Sequence, residues 1–210
     1  MAKKGTIVLD PGHGGTVKVG GSSPNNATSV SGIPEKQITL QIAKLTKEAL
    51  AKRAVDAGHA IRVVLTRDAD VNLALSDRAR IAQANAANLF LSIHCNASEK
   101  HNARGVETLV RPTAADNPNF ADDHAFATAI QKAVFTMILK ADPATRNRGV
   151  KQQQLGVLRD SDLGQGVKAC LVELEFIDVK AGDDLLKSEP TRLAIADALA
   201  NALIEQLPEA

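Results

Sequence analysis

The sequence predicts an α/β protein built on a single open, mostly parallel, twisted sheet of about six strands, with helices on both faces. Three observations carry that prediction. Short apolar runs alternate along the chain with segments whose apolar residues recur at helical spacing, the order expected of βα units. The runs around Leu89–Cys95 and Val167–Phe176 are almost continuously apolar, as in parallel strands covered on both sides. No repeat or linker interrupts the 210 residues, which suffice for one substantial core and are read as a single domain, 1–210.

The elements follow in order. Thr6-Ile7-Val8-Leu9-Asp10 reads as the first strand and runs into Pro11-Gly12-His13-Gly14-Gly15, a glycine turn that presents one histidine at the carboxyl edge of the sheet. Thr16–Pro34 is a long polar loop, and loops of that length in compact domains are usually functional. A helix then opens near Pro34-Glu35, carries Ile38, Ile42, Leu45 and Ala49 inward, and stops at Gly58. Ile61–Thr66 is the second strand, and Leu73–Ala87 the second helix, with Leu75, Ala79, Ala82 and Ala86 inward. Leu89–Asn96 is a buried strand that again ends in a histidine, His94. Gly105–Val110 alternates in character, which places it nearer a sheet edge. Ala125–Leu139 is a helix with Phe126, Ile130, Val134 and Ile138 on its apolar stripe, and Arg146–Lys151 a compact basic turn. Val167–Phe176 is a strand interrupted by Glu173 and Glu175, which share a face. Asp183–Lys187 forms a short helical turn, and Pro190–Leu207 closes the chain as a helix with Leu193, Ala196, Ala200, Leu203 and Leu207 inward.

Composition excludes several classes. A net charge of +1 argues against a nucleic-acid partner, and the absence of Trp and Tyr removes the usual platforms for stacking bases or sugar rings. Cys95 and Cys170 lack metal-ligand spacing and read as buried thiols. Asp68, Asp70 and Asp77 lack the calcium-loop pattern and read as solvated charges. No stretch is long enough to span a membrane, and no secretory leader is evident after Met1. The expectation is a trimmed mature domain or a chain made in the cytoplasm, and a monomer. No G-x-S-x-G elbow is present, which disfavours a metal-free α/β hydrolase.

Three positions suggest chemistry. Parallel strands bring their carboxyl ends to one edge, so His13 and His94 can converge, and Glu35 belongs on the same edge. Two imidazoles and a carboxylate make a natural zinc site; taken locally, Glu35 reads first as a partner for its helix dipole, and convergence with the histidines is what makes it a candidate ligand. Glu173 inside an apolar strand is either salt-bridged or a general base with a raised pKa. Arg148 and Lys151 form either a solvated loop or a cradle for a substrate carboxylate.

Together these segments resemble the zinc-dependent N-acetylmuramoyl-L-alanine amidases of the amidase-3 type, which cleave the amide between muramic acid and the stem peptide of peptidoglycan. The resemblance runs from Ile7 to about Leu203. It rests on Leu9-Asp10-Pro11-Gly12-His13-Gly14-Gly15, Glu35, Leu65-Thr66-Arg67, Ser76-Asp77-Arg78 with Ala84-Asn85, Ser92–Ala97, Gly105-Val106-Glu107-Thr108, Arg148–Lys151 and Leu171-Val172-Glu173. It implies zinc ligands at His13, Glu35 and His94, one ion per chain, and a catalytic glutamate at Glu173. It also implies peptidoglycan as the partner and action on the cell wall, outside the cytoplasm, as an autolysin or endolysin. Asn96, Arg148 and Lys151 are expected to contact substrate, and Asp10 to support the ligands from behind. Two departures stand out. Glu175-Phe176 replaces the family's usual Gly-Phe, so a second carboxylate either tunes Glu173 upward or faces solvent. The stretch between Val110 and Ala125 is too short for the helical insertion that plugs regulated members, so an open site is expected. A zinc carboxypeptidase and a non-catalytic cell-wall binding module are the competing readings.

Overall fold

The computed structural model describes every residue, Met1–Ala210. Six strands, β1 (Lys4–Pro11), β2 (Ala60–Leu65), β3 (Leu89–Asn96), β4 (Val106–Val110), β5 (Asn147–Gln152) and β6 (Lys168–Phe176), form one sheet in the order β2-β1-β3-β6-β4-β5. β2, β1, β3 and β6 are mutually parallel; β4 runs antiparallel to β6 and parallel to β5. The sheet is therefore mostly parallel with a reversed pair at one side. That reversal brings the starts of β4 and β5 to the same edge as the carboxyl ends of β1, β3 and β6.

Alternation along each strand divides the core in two. Ile7, Leu9, Leu89, Leu91 and Ile93 point to one face, beneath α1 (Glu35–Ala57), α3 (Phe120–Ala141) and α6 (Glu189–Gln206). Val8, Phe90, Leu109 and Leu171 point to the other, against α2 (Leu75–Ala84), α4 (Asp160–Leu163) and a 3₁₀ turn at Gly156–Leu158. The side under the long helices holds the larger cluster. Each buried Leu or Ile there contributes about 1.5–3 kcal/mol. α5 (Lys180–Lys187) packs beside α6.

α1 is fixed at both ends. Pro34 precedes it with φ −71°, and Glu35 N–H donates to the Ala27 carbonyl at 2.9 Å. It stops at Gly58, whose φ of 65° lets His59 N–H return to Ala54 at 2.8 Å. Between them, Ile38, Ile42 and Leu50 are buried at helical spacing. The loop from Thr16 to Ile33 is docked rather than loose: Ser31 N–H and Oγ donate to Asp183 at 2.8 and 2.7 Å, and Gly14 N–H donates to Pro24 O at 3.0 Å.

Several elements depart from what the sequence predicts. β4 is an interior strand with all five residues buried, because Thr108 is satisfied by Gln131 at 2.8 Å and Glu107 by neighbouring cations and Asn96. The edge is instead β5, where the sequence suggests only a basic turn; its exposed side chains leave no apolar signal. α2 is shorter than expected, and Ala86 is exposed with φ 47°. α3 starts at Phe120, ahead of Ala125. Leu193 is 47% exposed, while Ala196, Ala200 and Leu203 face inward. Cys95 and Cys170 are buried and unpaired, and burial pushes both thiols well above their ordinary pKa.

Candidate metal centre at the edge of the sheet

The turn after β1 sets the first ligand. His13 adopts a left-handed backbone with φ 60°, uncommon outside glycine and concentrated at functional sites. Two buried arginines hold the chain in that shape. Arg78 donates to Pro11 O at 2.9 Å and His13 O at 2.7 Å; Arg67 donates to Pro11 O at 2.9 Å and Gly12 O at 2.8 Å. Asp10 balances them: it is 1% exposed, pairs with Arg78 at 2.8 Å, and accepts from Thr66 and Ser92 at 2.6 and 2.7 Å. Burial alone would raise its carboxyl, but Arg78 and the hydroxyls outweigh it and leave the pKa lowered. Gly12 has no room for a side chain, since a Cβ there would fall inside the His94 imidazole.

The ring of His13 is oriented from behind. Its Nδ1 lies 3.0 Å from the Ser23 carbonyl, which can only accept, so the proton sits on Nδ1 and Nε2 faces the site. Nε2 is 3.2 Å from Glu35 Oε2, and His94 Nδ1 is 3.0 Å from Glu35 Oε1. The imidazoles stand nearly perpendicular, at 77°, with centroids 4.8 Å apart. Glu35 is 1% exposed and also accepts from the backbone N–H groups of Cys95 and Ala27, at 3.0 and 3.2 Å. Burial would push this carboxyl up; the two histidines outweigh it and lower it to about 2. For His13, burial pulls the pKa down, and the Glu35 hydrogen bond and charge more than reverse it.

One donor atom from each of His13, Glu35 and His94 lies within 4.8 Å of the others. A tetrahedral ion held at about 2.0–2.1 Å keeps its donors about 3.4 Å apart, so the cluster fits a zinc-sized ion with small adjustments. Two nitrogens and one carboxylate oxygen are the borderline donor set that zinc takes, and three protein ligands leave one position open.

β6 supplies the group beside this cluster. Glu173 pairs in register with His94 on β3 and with Glu107 on β4, and register partners project to the same side. Glu173 Oε2 is buried without a hydrogen-bond partner. Burial foremost, then the carboxylates of Glu35 and Glu107, push Glu173 up to about 8, against a lowering by His94.

The sequence-predicted substrate contacts converge on Glu107. Arg148 Nε and Lys151 Nζ each lie 2.5 Å from Glu107 Oε2, and Asn96 Nδ2 donates to Oε1 at 2.8 Å. Arg148 also lies over the Phe176 ring, 4.9 Å from its centroid. Glu175 does not face solvent, one of the two roles expected of it. It is fully buried, accepts from Gly105 N–H at 2.6 Å and Thr145 Oγ1 at 2.9 Å, and pairs with Arg104. Side-chain spacing in the sequence points to no role for Arg67, Arg78 or Glu107. All three lie in the short motifs that carry the family resemblance, which is the one signal that could have singled them out.

A family model described as N-acetylmuramoyl-L-alanine amidase matches residues 7–205. An endolysin of Bacillus phage SPP1 is 36% identical over 202 residues, covering 96% of this chain and 65% of the relative. The N-acetylmuramoyl-L-alanine amidase CwlM of Bacillus licheniformis is 31% identical over 197 residues, covering 94% of this chain and 66% of the relative. The chain thus spans just under two thirds of the length of these two curated relatives. Among solved structures, an N-acetylmuramoyl-L-alanine amidase from Clostridium difficile 630 superposes with a TM-score of 0.78 at 25% identity, covering 97% of each chain. Cwp6 from Clostridium difficile gives 0.77 at 30% identity, covering 98% of this chain and 30% of that one.

Proposed function

The chain belongs to the amidase-3 family of N-acetylmuramoyl-L-alanine amidases, and on that footing we propose that it hydrolyses the amide joining N-acetylmuramic acid to L-alanine in peptidoglycan, with zinc held by His13, Glu35 and His94. The observation that carries this reading is the meeting of those three donors at one sheet edge, next to a buried, unpartnered glutamate. When bound, zinc supplies a Lewis acid for the scissile carbonyl and brings the pKa of a water toward neutrality.

The protein's own groups do the rest. Glu173 Oε2 accepts a proton from the attacking water and returns one to the departing nitrogen of L-alanine. Burial raises this carboxyl, which strengthens it as a proton acceptor and lets it hold the proton it later delivers. Ser23 fixes the His13 tautomer, and Arg78, Arg67 and Asp10 fix the turn that carries it, supporting the proposed ligand from behind. Asn96, Arg148 and Lys151 line the far end of the row as substrate contacts; two cations against one Glu107 carboxylate leave positive charge over. Residues 111–119 carry a single 3₁₀ turn, Thr113–Ala115, and we take the site to work without displacement of a plug. No helix is long and apolar enough to cross a membrane, and the proposed place of action is the cell wall.

The test is digestion of purified peptidoglycan with and without a chelator, scoring new L-alanine amino termini against new reducing ends. Amino termini that disappear on chelation and return with zinc are expected. Chelator-insensitive release, or cuts confined to the glycan strand, would rule the reading out.

A further inference from the structure

A cavity of about 240 Å³ opens beside the metal centre, lined by Lys18, Ser23, Asn26 and Leu75 together with His13 and His94. It is smaller than the roughly 300–1,000 Å³ of pockets that hold whole ligands, so it takes one group of a larger substrate. Resting on the activity proposed above, we propose that this cavity receives a carboxylate of the stem peptide and that Lys18 is the residue that reads it.

The charges around the site single out Lys18. Arg78 also lines the cavity, but its guanidinium is used on Asp10, Pro11 O and His13 O. Arg67 is used on four backbone carbonyls, those of Pro11, Gly12, Lys36 and Ala69. Lys36 is held by Asp70 and Gly15 O, both at 2.8 Å. Arg148 and Lys151 share the Glu107 carboxylate and do not line this cavity. Lys18 is exposed on the loop after β1 and pairs with no carboxylate. The only carboxylate lining the cavity, Asp10, is already matched by Arg78, Thr66 and Ser92. The cavity therefore holds an unmatched positive charge and hydrogen-bonding groups from Ser23 and Asn26, which is the chemistry of an anion site.

That charge also sets a direction. The muramoyl carboxyl is consumed in the scissile amide, so the free carboxylates of the substrate lie on the peptide side. Lys18 follows β1, whereas Arg148 and Lys151 lie on β5, with β3, β6 and β4 between them. A carboxylate at Lys18 places the stem peptide over the loop after β1 and the glycan toward Glu107 and Arg148.

Two synthetic N-acetylmuramoyl-L-alanyl peptides test this, one with a free carboxylate on the residue after L-alanine and one with that group as a carboxamide. The wild-type protein is expected to favour the carboxylate about tenfold in KM, the scale of one charged contact. Lys18→Ala is expected to bring that ratio to about one, and Lys18→Arg to retain it. Calorimetric binding of the matching free L-alanyl peptides reads the same preference without turnover. A ratio unchanged in Lys18→Ala, or one lost instead in Arg148→Ala, overturns the proposal and, in the second case, reverses the substrate. If neither muramoyl substrate is cut while the peptide preference persists, the amidase reading fails and the subsite stands. If the wild-type protein shows no preference in KM or in binding, the subsite fails alone.

Discussion

A carboxylate that is buried and unpartnered destabilises the folded chain, and Glu173 keeps that cost because the proposed chemistry needs a base that also holds a proton. In the metal-free protein that cost depends on pH. Folding raises Glu173 from its ordinary 4.5 to about 8, so the folded state retains a proton that the unfolded chain has released. Its contribution is neutral below pH 4.5 and becomes increasingly unfavourable up to about pH 8, where it levels off. Glu173→Gln should therefore match the wild type in denaturant stability at pH 4 and exceed it by about 3–5 kcal/mol at pH 8. The same variant should lose about 10²–10⁴-fold in kcat. A variant no more stable at pH 8 than at pH 4, relative to wild type, would mean that water or a neighbour already satisfies Oε2. Arg78 tests the support behind His13. Removing one partner of a buried ion pair costs about 3–5 kcal/mol, so Arg78→Met should show that loss in urea. Its zinc affinity, measured by competition with a chromogenic chelator, should weaken about 10–100-fold.

The elements deliver these residues by strand register. Five strands in the order β1-β3-β6-β4-β5 place His13, His94, Glu173, Glu107 and Arg148 in sequence along one edge, each step about 4.8 Å. Glu175 shows how that row is held. From β6 it ties the segments entering β4 and β5, through Gly105 N–H and Thr145 Oγ1, and its charge is met by Arg104. Glu175→Ala should thus lower stability by about 1–3 kcal/mol in chemical denaturation, because Gly105 N–H and Thr145 Oγ1 lose their acceptor while Arg104 keeps its pair with Asp142. The pH profile of kcat should keep its midpoints; a shifted profile would show that Glu175 does tune Glu173. Parts of this arrangement were legible in the sequence. β1, β3 and β6 show as apolar runs because both their faces are buried, and His13 and His94 stand out because each ends such a run. β5 is hidden because its side chains serve charge pairing at an exposed edge. The antiparallel placement of β4 beside β6 is a non-local choice that no local pattern encodes. Arg67 and Arg78 escape notice for a related reason: they act on backbone carbonyls, and side-chain spacing does not reveal such partners.

At the scale of the whole molecule, the proposed metal joins parts of the chain that the core holds only indirectly. His13 follows β1, Glu35 opens α1 at the end of the long docked loop, and His94 lies near the end of β3. In the metal-free state Glu35 is kept ionised by two imidazoles, its carboxyl lowered to about 2. An ion that binds the folded chain and not the unfolded one stabilises by mass action, about 2.7 kcal/mol at a hundred times its Kd. For a chain of 210 residues that corresponds to a rise in Tm of about 5–10 °C. The rise should be steep in zinc, absent with magnesium, which binds harder oxygen sites, and lost in His13→Ala, His94→Ala and Glu35→Gln. Glu173→Gln separates binding from chemistry: its carboxylate is outside the donor set, so it should keep the zinc-dependent rise while losing turnover. If Glu173→Gln lost the shift along with activity, Glu173 would belong among the ligands and the division of labour along the row would have to be redrawn. If the ligand variants kept it, zinc would be binding elsewhere on the chain, and the edge cluster would be an ionic network of two histidines around one glutamate.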